Sequence, residues 1–370
     1  MKILHTCGSR AWGGLEMETL KICKALHDEG HSVALICPAG STLEKECNSA
    51  GLHTVPILDK KYSLKNLQAI RQLLSESNFD VIHVEQSHDL WTVVPALALS
   101  KINTKLILSK HVASRVVKRD FLHKMLYKRL DHIISISEFI RKNVIETTPI
   151  DPDKAMTIYN GIPDEIYYKY NSAYRWESTE YQFPSSAIVV GIVGRFSPMK
   201  GHIEFLKAAK IIIDTSDLDI RFLVVGGASY KEEAFESELM DLFRELNLED
   251  RITFTGFMEN VFESISVMDI LAFPSHKESF GNTLIEGMTM SLPVVASNSG
   301  AVPEIVKDGI NGFLVPPQDP IALAEKLIVL IENEKLRREM GVAGRIMVEK
   351  KFLFSKYLSE LTKLYKADVT

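Results

Sequence analysis

Two glutamates stand eight positions apart in the stretch HKESFGNTLIEGMTMSLPVVAS, residues 276–297: Glu278 before Gly281 and Glu286 after it. Two carboxylates can act as acid and nucleophile in glycoside cleavage. They can also hold a ligand, or decorate the first turns of an ordinary helix. The flanking residues discriminate. ILAFPS reads as a strand, HKESFG as a loop and NTLIEGMTMS as the start of a helix. Asn282 and Thr283 then fall where backbone N–H groups and the positive end of the helix dipole favour an anion, phosphate above all. Gly281 permits close backbone approach. Glu286 falls about one turn into the helix, where its carboxylate can accept hydrogen bonds from a diol. A phosphate-binding helix start between the two acids argues against a hydrolytic pair.

A second constellation is VGRFSPMKG, in which Arg195 and Lys200 bracket a turn between a strand and a helix. A planar guanidinium fork and a mobile ammonium together can neutralise a pyrophosphate; two solvated loop cations are the bland alternative. Gly13-Gly14 follows the first strand, and its backbone can approach a phosphate or sugar. It lacks the G-x-G-x-x-G spacing of a dinucleotide fingerprint, which disfavours a nicotinamide dehydrogenase. His111 follows the strand LILSK, whereas His83 lies inside the apolar strand DVIHVE and reads as a satisfied core histidine. The acid-x-acid string Asp217-Leu218-Asp219 precedes its strand. It therefore sits at the amino edge of a sheet, where a solvated loop is expected rather than a metal site.

These residues need a scaffold. The chain has 370 residues, 46% hydrophobic and 25% charged, with a net charge of -5. That length suits two domains with separate cores and gives no global basic excess for nucleic acid. Strands alternate with amphipathic helices in 1–159 and again from AIVVGIVGRF onward, the rhythm of parallel sheets covered on both faces. The expected architecture is α/β with two doubly wound, Rossmann-like domains. Ligands of such sheets bind outside the carboxyl ends of the strands, so function belongs to the loops there. The expected division is 1–168, a linker over 169–186, a second domain over 187–351, and a helix over 352–370 crossing back to the first domain. The four cysteines lie in the first fifty residues with neither a C-x-x-C pair nor zinc spacing, and read as buried thiols of a reducing compartment. The N-terminal apolar run is too short for a signal peptide, and no stretch approaches a membrane span. A cytoplasmic protein, at most peripheral to the inner face of a membrane, is the expectation.

In sequential order, WGGLE, DVIHVEQSH, SKHVAS, ISISEFIRKNV, IYNGIPDEIY, VGRFSPMKG, FLVVGG, ITFTGF and ESFGNTLIEGMTMSLPVVAS resemble the pattern of glycosyltransferase family 4 on the GT-B fold. The resemblance implies a retaining transfer from a nucleotide sugar, UDP- or GDP-linked, without an obligatory metal or other cofactor. Carried over by position, Arg195 and Lys200 would grip the donor pyrophosphate, Glu286 the ribose hydroxyls and Glu278 the sugar. Backbone groups of Phe280, Gly281, Asn282, Thr283 and Leu284 would hold sugar and phosphate. Gly14 would approach the phosphate. The segment 251–257, with Thr255 and Phe257, would form part of the base pocket. His111 matches the active-site histidine of the family, and His88 and Arg115 join it as acceptor-side candidates. Two positions depart from the pattern: Glu85 stands where a second histidine is frequent, and Thr289 where alanine is usual.

Residues 105–129 hold eight Lys or Arg and one acid, Asp120. Val117, Phe121, Met125 and Leu126 line up as one helical stripe. A basic amphipathic helix can rest on an anionic membrane or receive an acidic or lipid-linked acceptor. A stripe packed on its own domain is the favoured expectation. A nucleotide-sugar epimerase and a non-catalytic nucleotide-sugar-binding protein are the alternatives to a transferase active in polysaccharide biosynthesis.

Overall fold

The computed structural model describes residues 1–57, 63–171, 173–174, 183–228 and 232–367. The chain forms two compact units, Met1–Tyr159 with Lys356–Thr370, and Asn160–Ser355. Half of the linker expected over 169–186, residues 172 and 175–182, lies outside the described residues.

The first unit is built on β1 (Lys2–Thr6), β2 (Ser32–Pro38), β3 (His53–Ile57), β4 (Val81–Val84), β5 (Lys105–Lys110), β6 (His132–Ser135) and β7 (Ala155–Thr157). They form one parallel sheet in the order β3-β2-β1-β4-β5-β6-β7. Its central strands are apolar because helices cover both faces; every residue of β4 is buried, His83 included. Local chemistry starts the helices: the hydroxyls of Ser41, Ser63 and Ser137 accept from the N–H groups of Glu44, Asn66 and Ile140. The helix Phe354–Lys366 buries Tyr357, Leu361 and Tyr365, and Lys105 Nζ, at the start of β5, donates to the Leu364 carbonyl at 3.0 Å.

The second unit holds β8 (Ile188–Val193), β9 (Ile220–Val225), β10 (Ile252–Gly256), β11 (Ile270–Phe273), β12 (Val294–Ser297) and β13 (Gly312–Val315). The order is β10-β9-β8-β11-β12-β13, again parallel. In both sheets the strand order reverses beside the first strand, between β1 and β4 and between β8 and β11. That reversal opens the crevice in which doubly wound sheets bind ligands. Among the described residues no helix is long and apolar enough to cross a membrane.

The structure corrects the reading of residues 105–129. Only Phe121–Lys128 is helical, opened by the Asp120 carboxylate. Leu126 and Tyr127 are buried, but Val117, Phe121 and Met125 are 63%, 74% and 57% exposed. The expected stripe therefore does not pack on the domain: with the helix starting at Phe121, Val117 lies outside it, and the buried face is set by Leu126.

Leu361 is fully buried. Leu361→Ala should lower stability by about 2–5 kcal/mol, read as a lower urea midpoint for the full chain. A midpoint unchanged from the parent would mean that the last helix contributes nothing to the first unit.

Candidate functional site

In the second unit, Arg195 leaves the carboxyl end of β8 and lines a cavity of about 500 Å³. Gly226, Gly227 and Ala228 after β9, Phe257 and Met258 after β10, and Thr283 and Glu286 on the helix Asn282–Thr289 complete it. This is the carboxyl edge beside the β8/β11 switch point. Another cavity of about 480 Å³, lined by Met268, Ser291, Leu292 and Arg337, lies where β11 and β12 begin, the edge at which such sheets do not bind ligands.

Lys200 ends a short 3-10 turn, Pro198–Lys200, and its Nζ meets Glu278 Oε2 at 2.8 Å. The two loops are also tied by the His276 N–H donating to the Met199 carbonyl at 2.9 Å. The backbone here admits only glycine at position 201. Its φ is +78°, and an added Cβ would lie 2.2 Å from the Pro274 carbonyl oxygen. Lys200 stays at the cavity's edge: its methylenes lie 3.9 Å from where a Cβ on Gly194 would stand. Arg195 Nε pairs with Glu232 Oε2 at 3.1 Å and is otherwise more than half exposed.

Gly281, with φ +116°, precedes the helix start, and the Leu284 N–H already donates to its carbonyl. That removes Leu284 from the expected backbone donors. The N–H groups of Asn282 and Thr283 precede this first intrahelical bond. The Phe280 side chain is buried against Phe352, so only its backbone is on offer. Glu286 is half-buried, and desolvation lifts its carboxyl from the ordinary 4.5 to about 7.

The segment 251–257 divides. Phe257 lines the cavity and is 85% exposed. Thr255 sits at a break in the β9/β10 register, its hydroxyl donating to the Gly256 carbonyl. Arg251 is no part of the pocket. It precedes β10 and pairs with Asp219 at the opposite edge, 3.1 Å away, because a residue before a parallel strand stands at the amino edge. Asp219 also accepts from Arg221 at 2.9 Å, so the acid-x-acid string ends in an ion-pair cluster rather than a solvated loop.

In the first unit, Gly14 opens the helix Gly14–Asp28, and the Gly13 N–H is taken by Glu16 Oε2 at 3.0 Å. His111 follows β5, and its Nε2 lies 3.0 Å from Glu85 Oε2. His88 pairs with Asp89 at 2.8 Å, and Arg115 is exposed without a place in that cluster. His83 is the satisfied core histidine expected, held by Tyr365 and Ser109. Sequence reading missed three neighbours and named Glu85 only as a departure from the pattern. Glu85 and His5 are fully buried, Tyr365 comes from the last helix, and Lys110 is lowered by burial to about 8 while donating to Ser87. The alternation of β1 and β4 places His5 and His83 in register, but no local pattern announces the carboxylate after β4 as their partner.

The comparisons agree with this geometry. The family model "Glycosyltransferase Family 4" matches residues 12–166, and "Glycosyl transferases group 1" matches 177–347. An uncharacterised glycosyltransferase of Methanocaldococcus jannaschii is 28% identical over 96% of this chain and 94% of its own. Phosphatidyl-myo-inositol mannosyltransferase of Mycobacterium leprae is 27% identical over 97% and 94%. The fold is that of Anabaena HepE, solved with UDP and glucose, at a TM-score of 0.78 and 20% identity over 99% and 100% of the two chains. With one model on each α/β unit and the strand orders on which they rest, the chain belongs to the family 4 glycosyltransferases of GT-B fold.

Proposed function

We propose that the chain is a retaining hexosyltransferase that moves a sugar from a UDP- or GDP-linked donor to a hydroxyl of a glycan, lipid-linked or small-molecule acceptor, with no metal ion in the chemical step. The observation that carries this reading is the gathering of Arg195, Thr283 and Glu286 on one cavity at the β8/β11 switch point, with Lys200 at its edge. HepE, whose fold is the same, has been solved with UDP-glucose. In the proposed complex the exposed ring of Phe257 takes the base. Glu286, near half-protonation at neutral pH, both donates to and accepts from the ribose diol. The diphosphate lies between Arg195, Lys200 and the N–H groups of Asn282 and Thr283.

Departure of the diphosphate builds negative charge on its oxygens. Two cations and a helix start, drawn onto the diphosphate when the donor binds, stabilise that charge in the transition state. Lys200 exchanges its bond to Glu278 for the phosphate, which releases Glu278 toward the sugar hydroxyls. The acceptor hydroxyl attacks from the face that the nucleotide leaves, and the leaving phosphate takes its proton, so no enzyme carboxylate serves as nucleophile.

The acceptor reading includes a surface. Val112, Val116, Val117, Phe121, Leu122 and Met125 are all more than half exposed, with Arg115, Lys124 and Lys128 exposed among them. Apolar side chains ringed by cations suit an anionic lipid surface, and the mannosyltransferase relative is named for a lipid.

Three outcomes follow. Lys200→Ala should lower turnover by about 10²–10³-fold with unchanged thermal unfolding; near-parent activity would sink the donor assignment, and an isomerised nucleotide sugar in place of a new glycoside would turn the reading to an epimerase. Because the Glu286 carboxyl is raised in the folded state, its favourable contribution is full below pH 4.5 and is lost as pH climbs to about 7. Glu286→Gln should therefore flatten the fall in melting temperature over that interval. The chain should also co-sediment with phosphatidylglycerol-containing vesicles at low salt and leave them at high salt, and Phe121→Ser should weaken binding; no sedimentation at low salt would remove the membrane surface.

A further inference from the structure

The first unit contains a buried hydrogen-bond chain that the proposed chemistry does not use. Glu85 is its centre, with 1% of its side chain exposed. Its Oε1 lies 3.2 Å from His5 Nδ1, and its Oε2 lies 3.0 Å from His111 Nε2. Tyr365 Oη lies 3.3 Å from His5 Nε2 and 2.5 Å from His83 Nδ1. His83 Nε2 lies 2.7 Å from Ser109 Oγ. Strands β1, β4 and β5 and the last helix thus meet in one polar chain.

The direction of every bond follows from Glu85. Burial opposes its ionisation, but the hydrogen bonds from His111 and His5 more than offset this and hold the carboxyl well below its ordinary range. An ionised carboxylate only accepts. His5 Nδ1 and His111 Nε2 must therefore donate. With a single proton on His5, at Nδ1, its Nε2 accepts and Tyr365 donates to it. Burial raises the Tyr365 hydroxyl well above its ordinary range, so it keeps its proton. Tyr365 in turn accepts from His83 Nδ1, and the neutral His83, lowered by burial to about 3, accepts at Nε2 from Ser109. His5, His83 and Glu85 have the proximity of metal ligands, within 4.8 Å of one another. Each of the atoms concerned already closes a link of this chain, which is a different use of the same groups.

We infer that Glu85 is a positioning residue for His111: it holds the ring by Nε2 and leaves Nδ1 as the hydrogen-bond acceptor on the outward side. The side-chain exposures fit, with His111 at 18% and Glu85 at 1%: the carboxylate is sealed and the imidazole reaches the carboxyl edge of the sheet. A ring so held can accept a hydrogen bond from a sugar or acceptor hydroxyl, but cannot turn to offer Nε2. The inference rests on the reading of His111 as an acceptor-side group, and the departure at Glu85 from the histidine frequent at that position supplies the anchor.

Two measurements test it. In ¹⁵N-histidine-labelled native protein, the His111 resonances, identified by their loss in His111→Gln, should show Nε2 protonated and Nδ1 bare in the neutral ring; a protonated Nδ1 overturns the inference, whether or not the chain transfers sugar. In kinetics, Glu85→Gln and His111→Gln should each lower kcat by about 10²-fold with donor KM unchanged, and the double variant should be no slower than His111→Gln alone. Multiplied losses would show that Glu85 does not act through His111. Should no transfer be found with any donor, the glycosyltransfer reading fails, and the tautomer still decides the role of Glu85. Should Glu85→Gln not fold, the labelled native protein again decides.

Discussion

Everything in the proposed chemistry depends on one constraint of parallel sheets. All strands of a doubly wound sheet end on the same edge, and where the order reverses the following loops part. In the second unit that parting lies between β8 and β11, and the loop after each strand contributes one charge of the Lys200–Glu278 pair. The pair holds the loops in register, and glycine at 201 lets them approach so closely. In the first unit the same parting lies between β1 and β4, and there Glu85, just beyond β4, meets His5 from within β1 and His111 from beyond β5. One topological rule thus sets up two different polar assemblies, one open and cationic, the other sealed and centred on an anion.

The two assemblies illustrate different uses of burial. Desolvation raises Glu286 until it hovers near half-protonation, and with few competing charges it can donate as well as accept. Glu85 is buried more deeply, yet the hydrogen bonds from His5 and His111 reverse the sign. The comparison shows that depth alone does not decide the state of a carboxyl group; the donors aimed at it do.

Much of this was legible in the sequence, and the reasons are local. The apolar runs of β1, β2, β4, β8, β11 and β12 announce buried parallel strands, and the serine caps announce helix starts. β3, β7 and β13 escaped because they are short strands at or near a sheet edge; Pro56 in β3 even argues against a strand, and an edge position is what tolerates it. Arg195, Glu286 and Phe257 were legible because strand, turn and helix follow one another within a few residues. Arg251 was misplaced by the same habit, since a residue before a strand lies a full strand length from one after it. The stripe over 117–126 failed because periodicity cannot tell which face of a short helix meets the core. Tyr365 could not have been found at all: 282 residues separate it from His83, and no local pattern spans that gap.

Tyr365 also bears on the order in which the molecule is made. Residues 1–159 emerge first from the ribosome, but their compact unit is closed by 356–370, after the whole of the second unit has been synthesised. Until then His5 and His83 lack the hydroxyl that links them, and the groove that receives Tyr357, Leu361 and Tyr365 has no occupant of its own. The first unit can be completed only after the second has been synthesised, and until then the apolar surface that receives the last helix is uncovered, the kind of surface that chaperones shield.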